Sequence, residues 1–286
     1  MKGTVKQIVK RSLHYVFKGI PTQVQQVHKA AVCYLTPSAR LLGKKIIITG
    51  GARGLGYAMA KKFKDEGARV LIAGRNQKLL AEKAAEIACS HLALDVREPA
   101  AFPEFLAQAE IMLGGMDVLV NNAGISLHEG DSQRVTEEQF NAQVETNLRG
   151  GYFLAQHFIR RVLQKPEQRK GSVLFVSSER GITVDDLPYG VTKAAINSLV
   201  QGLAYRHARD GIRINAIAPG VTASDMTGFS ADGDLSCPYN LTDRVYLPEE
   251  VAEIACFLIS DAAWCLNGQI LVCNEGKTLH AHWLAK

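Results

Sequence analysis

In the stretch DLPYGVTKAA (186–195) a phenol, Tyr189, and an ammonium, Lys193, stand four residues apart. On a helix that spacing makes the two side chains neighbours, about 5–6 Å apart at Cβ. It permits an acid/base partnership without establishing one. A tyrosine starts near pKa 10, too high to exchange protons freely at neutral pH. A close cation favours the phenolate and draws the pKa down; a shift of about three units is worth roughly 4 kcal/mol, within reach of one near charge plus a charged cofactor. Such a tyrosine could protonate the alkoxide that forms when hydride reaches a carbonyl.

A second group of residues could hold the hydride carrier. IIITGGARGLG (46–56) runs an apolar strand into glycines at 50, 54 and 56, with Arg53 and Leu55 between them. A glycine triplet alone is a weak signal, but here it sits between a strand and a helix, which is the context a dinucleotide loop requires. Glycines let the backbone approach a pyrophosphate, and the helix N-terminus supplies oriented N–H donors. After the second strand comes LIAGRNQK, with Gly74 and Arg75 and no acid between Val70 and Leu80. A carboxylate there would accept from a ribose hydroxyl and repel a 2′-phosphate, whereas an arginine grips the phosphate bidentately. Arg75, with Arg53 approaching from the loop, therefore predicts NADP(H) over NAD(H).

These residues need a scaffold. From residue 44 short β-branched runs alternate with longer helical stretches, predicting strands at 45–49, 69–73, 91–94, 117–121, 172–177, 212–217 and 269–272. Helices are expected over most of 54–66, 76–88, 99–113, 136–165, 188–209 and 248–260. The pattern predicts an α/β fold: a Rossmann-type, doubly wound, seven-stranded parallel sheet with helices on both faces, forming a single domain. Its ligand crevice should lie at the carboxyl ends of the strands. The long irregular piece 221–247 reads as a lid or binding loop.

Six motifs then fall in order: TGGARGLG, NNAG (121–124), NLRG with Asn147, VSSERG, YGVTK and the Pro219–Gly220 pair. Over residues 44 to about 276 the chain resembles the short-chain dehydrogenase/reductase family, in the branch with one domain of about 250 residues. The resemblance implies an NADP-dependent oxidoreductase acting on CH–OH and C=O groups, with a catalytic set of Asn147, Ser178, Tyr189 and Lys193. Ser178 would bind the substrate oxygen, with Ser177 as the weaker candidate. Lys193 would also bind the nicotinamide ribose, and Asn147 would hold a water that replenishes the proton. It assigns the phosphate loop to Gly50, Arg53, Gly54, Leu55 and Gly56, the adenine to Asp95 and Val96, and the adenosine ribose wall to Asn122, Ala123 and Gly124. The nicotinamide side falls to Pro219, Gly220 and Ser224. Ser224 stands where threonine is commoner, and VCNEG (272–276) replaces the usual V-D-G-G. The stretch between Ser178 and Tyr189 is two residues shorter than usual. Its Glu179 and Asp185, with His128 and Glu129, suggest an acceptor-rimmed mouth and a small polar substrate. A 3-oxoacyl-carrier-protein reductase-like activity and a non-catalytic dinucleotide-binding regulator are the alternatives. A homodimer or homotetramer is implied.

Composition sets limits on the rest. The chain has 286 residues and a formal charge of +5, of which +7 belongs to residues 1–43, where no acid occurs, leaving −2 for residues 44–286. We therefore divide it into a basic extension, 1–43, and an NADP-binding domain, 44–286. Lys2, Lys6 and Lys10 share one helical face opposite Val5, Ile8 and Val9, which suits a packing arm, an interfacial membrane helix or a transit peptide. The packing arm is the preferred reading. The six cysteines form no C-x-x-C pair and no metal spacing, predicting no metal site and a reduced, cytoplasmic protein. No apolar run reaches 18 residues, and no nucleic-acid motif accompanies the basic patch.

Overall fold

Ile46, Ile47 and Ile48 are consecutive in the first strand and all three are wholly buried. Successive strand residues face opposite ways, so such a run requires cover on both faces. In the computed structural model, which describes residues 39–165, 171–230 and 233–279, two helical layers provide that cover. The strands are β1 (Lys45–Thr49), β2 (Arg69–Gly74), β3 (Ser90–Ala93), β4 (Val118–Asn121), β5 (Gly171–Val176), β6 (Ile212–Pro219) and β7 (Ile270–Cys273). The helices are α1 (Gly54–Asp65), α2 (Gln77–Glu86), α3 (Phe102–Leu113), α4 (Glu137–Gln143), α5 (Gly150–Leu163), α6 (Pro188–His207) and α7 (Pro248–Ile259). One face of the sheet buries Ile47, Leu119, Val173 and Ile214 against Phe102, Phe158 and Val200 of α3, α5 and α6. The other buries Ile46, Ile48, Val70 and Val120 against Met59, Phe63, Val251 and Leu258 of α1 and α7.

The strand order is β3-β2-β1-β4-β5-β6-β7, and every pairing is parallel. The chain winds outward from β1 in one direction and then from β4 in the other, leaving a switch point between them where a crevice opens.

Three local features differ from the sequence expectation or refine it. The expected helix at 136–165 is two helices joined by a π-helical turn, Val144–Arg149. The turn's side chains are anchored outside the helix: Asn147 Oδ1 accepts from Ile125 N–H at 2.8 Å and its Nδ2 donates to Ile125 O at 2.9 Å. The described residues of 221–247 pack around a small core of their own, Ala223, Cys237 and Val245, beside which Tyr246 N–H donates to Val221 O and Tyr246 O accepts from Ala223 N–H, both at 2.9 Å. Finally, Leu41 is wholly buried and Arg40 bonds Glu66 and Glu253, at 2.5 and 2.9 Å. The rest of the basic extension, residues 1–38, lies outside the described residues. Among the described residues no helix is long and apolar enough to cross a membrane, and no three His, Cys, Asp or Glu side chains cluster as metal ligands.

Candidate active site

The crevice at the switch point has a volume of about 950 Å³. At one end β1 turns through Gly50, at φ +65°, and Gly54, at φ +47°, into α1. A Cβ on Gly56 would lie 2.2 Å from Gly50 O, so only glycine lets the first turn of α1 sit this close to the loop. No side chain caps this helix and no acid occupies its first turn. Its leading N–H groups are therefore left for an anion. The loop is braced from β4: Thr49 Oγ1 accepts from the N–H groups of Asn122 and Ala123 at 3.1 and 3.0 Å, and Asn122 Nδ2 donates to Thr49 O and Gly50 O at 2.9 and 3.1 Å. Asn122 thus spends its side-chain N–H donors on the loop and its backbone N–H on Thr49. Thr49 was missed by the sequence reading, although it stands at the head of TGG.

Of the residues named from the sequence, Gly50, Arg53, Gly54, Leu55, Gly56, Arg75, Asp95, Val96, Asn122, Ala123, Gly124, Ser178, Tyr189, Lys193, Pro219, Gly220 and Ser224 all line this crevice. Asn147 does not; it lines a separate small cavity of about 10 Å³ behind Lys193. Arg75 projects into solvent at the end of β2. Arg53 Nη1 lies 3.4 Å from Asp225 Oδ2, an exposed pair across the mouth. Arg97, also missed, grips Asp95 with its Nε at 3.0 and 3.1 Å and Nη2 at 2.6 Å, which holds the Asp95 carboxyl below its ordinary range.

The opposite end of the crevice is formed by the end of β5 and the first turns of α6. Pro188 occupies the first helical position, where its missing N–H costs nothing. Ser177 donates to Asn197 Oδ1 at 2.7 Å and to Lys193 O at 3.3 Å, so its hydroxyl is tied into α6. Ser178 instead accepts from Arg180 N–H at 3.2 Å and is hydrogen-bonded to Tyr189. Lys193 Nζ lies 5.5 Å from the Tyr189 ring centre and donates to Val176 O at 2.8 Å. Burial pulls the Lys193 ammonium down to about 8.

Tyr189 lines the crevice and is half-buried. Burial raises its pKa above 10, offset by the Ser178 hydrogen bond and by the charge of Arg180.

The acceptor-rimmed mouth is also corrected. Glu179 points inward, only 8% exposed, where it accepts from Lys277 Nζ at 2.7 Å and Asn274 Nδ2 at 3.1 Å. The departure at VCNEG supplies that asparagine. Asp185 is bound by Arg180, Glu129 accepts from Gln143, and His128 Nε2 meets Met226 O at 2.7 Å. None of the four lines the crevice. A carboxylate needs a partner once it is partly buried, and here each partner comes from the protein itself.

A family model described as enoyl-(acyl carrier protein) reductase matches residues 50–278. The gluconate 5-dehydrogenase of Gluconobacter oxydans (strain 621H) is 30% identical over 251 residues, 84% of this chain and 96% of that protein. Two solved structures share the fold: a 3-ketoacyl-(acyl-carrier-protein) reductase from Brucella melitensis complexed with NADH and a short-chain dehydrogenase from Burkholderia cenocepacia J2315 in complex with NADP. The first has a TM-score of 0.78 at 29% identity, covering 84% of this chain and 100% of that one. The second has a TM-score of 0.74 at 28% identity, covering 83% and 99%. Matches of this length show that the chain belongs to the short-chain dehydrogenase/reductase family of oxidoreductases.

Proposed function

We propose that the protein is an NADP(H)-dependent oxidoreductase that interconverts a ketone and a secondary alcohol on a small polar molecule. The observation that carries this reading is the join of Ser178 and Tyr189, with Lys193 5.5 Å from the ring, at one end of a crevice whose other end is an uncapped helix N-terminus. The crevice fits a nicotinamide dinucleotide: Gly56 leaves open the space a Cβ would take, and the first turn of α1 carries no acid to repel phosphate. Gly50, Gly54, Leu55 and Gly56 would hold the pyrophosphate, Asp95, Val96 and Asn122 to Gly124 the adenosine, and Pro219, Gly220 and Ser224 the nicotinamide side. When bound, the dinucleotide supplies or accepts the hydride.

The chain's own residues handle the proton. Ser178 donates to the substrate oxygen as charge builds there. Tyr189 gives that oxygen its proton in reduction and removes it in oxidation. Lys193 holds the ribose hydroxyls and passes on the proton. The Asn147 side chain is committed to Ile125 and Thr192, so the relay water falls to its main-chain carbonyl, at a π-turn where the helical ladder is interrupted. The cavity between Asn147, Thr146 and Lys193, about 10 Å³, has room for one water.

For NADP, support comes from Arg75, exposed just after β2 and in no ion pair among the described residues, and from Arg53 at the loop. For a polar substrate it comes from the gluconate 5-dehydrogenase relative, since the acidic approach is occupied internally. The Brucella neighbour supports 3-oxoacyl thioesters as the second reading. Exposed Phe140, Tyr152 and Val191 on α4, α5 and α6 suit a homo-oligomer. A cytoplasmic location accords with cysteines that carry no disulfide among the described residues.

The test is a panel of sugar acids, ketones, secondary alcohols and 3-oxoacyl thioesters assayed with NADP(H) and NAD(H). Turnover with NADP(H) should exceed that with NAD(H) at matched concentration, and equal turnover would end the NADP assignment. Tyr189→Phe should cut kcat by about 10²–10⁴ while cofactor affinity stays within a few fold. Full activity in that variant would refute the role of Tyr189.

A further inference from the structure

The short acidic approach to the helix, Glu179–Asp186, has charges out of proportion to a simple turn. Its geometry sorts them into two sets. Glu179 is drawn away from the site by Lys277 and Asn274. Arg180 and Asp185 face the other way and hold each other: Arg180 donates through both Nε and Nη2 to the two Asp185 oxygens, the latter at 2.7 Å. Asp185 is itself fixed, because its Oδ1 accepts from Leu187 N–H at 3.0 Å and its side chain is 9% exposed. Gly190 makes room for it; a Cβ there would lie 2.0 Å from Asp185 Oδ2. The result is a planar cation anchored at two points, with its central carbon 5.6 Å from the centre of the Tyr189 ring.

We propose that Arg180, clamped by Asp185, is a second cation for Tyr189 that stabilises its phenolate independently of Lys193. Arg180 is a positioning residue: it acts through Tyr189 and lines no part of the crevice. The groups facing Tyr189 divide the work. Ser178, from the end of β5, is hydrogen-bonded to it; Lys193, one turn along α6, stands 5.5 Å from its ring and is turned to Val176 O; Arg180 stands 5.6 Å away. A guanidinium keeps its charge at every working pH, whereas the buried Lys193 sheds its charge near pH 8. Above that pH Arg180 is the cation that remains. Asp185 cancels part of this charge, and its two-point grip, with Oδ1 also held by Leu187 N–H, stops a long side chain from swinging into solvent.

The proposal rests on Tyr189 being the acid/base of the reaction, but its test does not need a substrate. The near-ultraviolet tyrosinate band is titrated in the NADP⁺ complex, with the matching Tyr189→Phe protein subtracted in each background so that the other tyrosines cancel. Arg180→Met should raise the Tyr189 midpoint by roughly half to one pH unit, and Arg180→Lys, which keeps the charge and loses the fork, should recover at least half of that. Near-ultraviolet circular dichroism verifies that each variant is folded; if Arg180→Met is not, Arg180→Gln against Arg180→Lys makes the same comparison. An unmoved midpoint in the folded variant overturns the proposal and leaves Arg180–Asp185 as a brace for the turn. A moved midpoint in a protein that turns over no substrate upholds the proposal and counts instead against the oxidoreductase reading.

Discussion

Lys193 is where the site's chemistry conflicts most directly with stability. Its ammonium is fully buried against one carbonyl, Val176 O, and burial lowers its pKa from 10.5 to about 8. The sign of the linkage follows. Between pH 8 and 10.5 the unfolded chain binds a proton that the folded protein has released, so this group makes stability rise with pH across that window. Below pH 8 the full desolvation cost is present in the folded state. Lys193→Met removes the titration. In thermal melts of the cofactor-free proteins, the variant's Tm relative to wild type should therefore be highest below pH 8 and should fall as pH rises to 10.5. A pH-independent difference would show that the lysine is not buried as a charge. The same variant should lose turnover, which identifies the burial as a functional cost.

At the scale of elements, the strands were legible because burial on both faces leaves near-continuous runs such as Ile46–Ile48 and Val70–Ile72, and the crevice follows from their order. The π-turn at Val144–Arg149 was not legible. Apolar spacing runs through 136–165 without a break, and what bends the ladder is a pair of long-range contacts: Asn147 with Ile125, and Gly150 against Val96, whose carbonyl would lie 2.4 Å from a Cβ on Gly150. Thr49 and Arg97 escaped for a similar reason, since each works by bracing a residue the motif had already named. Gly150→Ala tests the turn. The obstacle is backbone, so α5 must lift away from Val96, costing about 1–3 kcal/mol by the usual penalty for overpacking. Denaturant unfolding should show that loss. Because Asn147 sits in the same turn, kcat should fall more than cofactor affinity. A variant with wild-type stability would mean that the helix shifts at no cost.

For the molecule as a whole, the charge asymmetry suggested a boundary after residue 43, and the packing near that boundary gives residues 40 and 41 a measurable role. Leu41 is fully buried in the layer formed by α1 and α7, and Arg40 bonds Glu66, a carboxylate only 3% exposed that otherwise has Lys62 for its cation. Arg40 and Lys62 also both reach Glu253 on α7, so the four charges tie α1 to α7. A truncation starting at Ala39 keeps all of this, whereas one starting at Leu42 removes the leucine and one cation. By the cost of emptying a leucine site, about 2–5 kcal/mol, the Leu42 version should melt about 4–20 °C below the Ala39 version at pH 7, given about 2–4 °C per kcal/mol for a domain of this size. The two versions should also differ in acid. Arg40 is the largest influence holding the Glu66 carboxyl down at about 2, against an ordinary 4.5. That contribution is complete above pH 4.5 and disappears as pH falls through 2. The gap in Tm between the versions should therefore narrow across that interval, down to the share due to Leu41. Equal melting temperatures at pH 7 would mean that nothing before residue 42 stabilises the domain, in keeping with the boundary after residue 43 that the charge pattern suggested, and make the Arg40–Glu66 pair incidental.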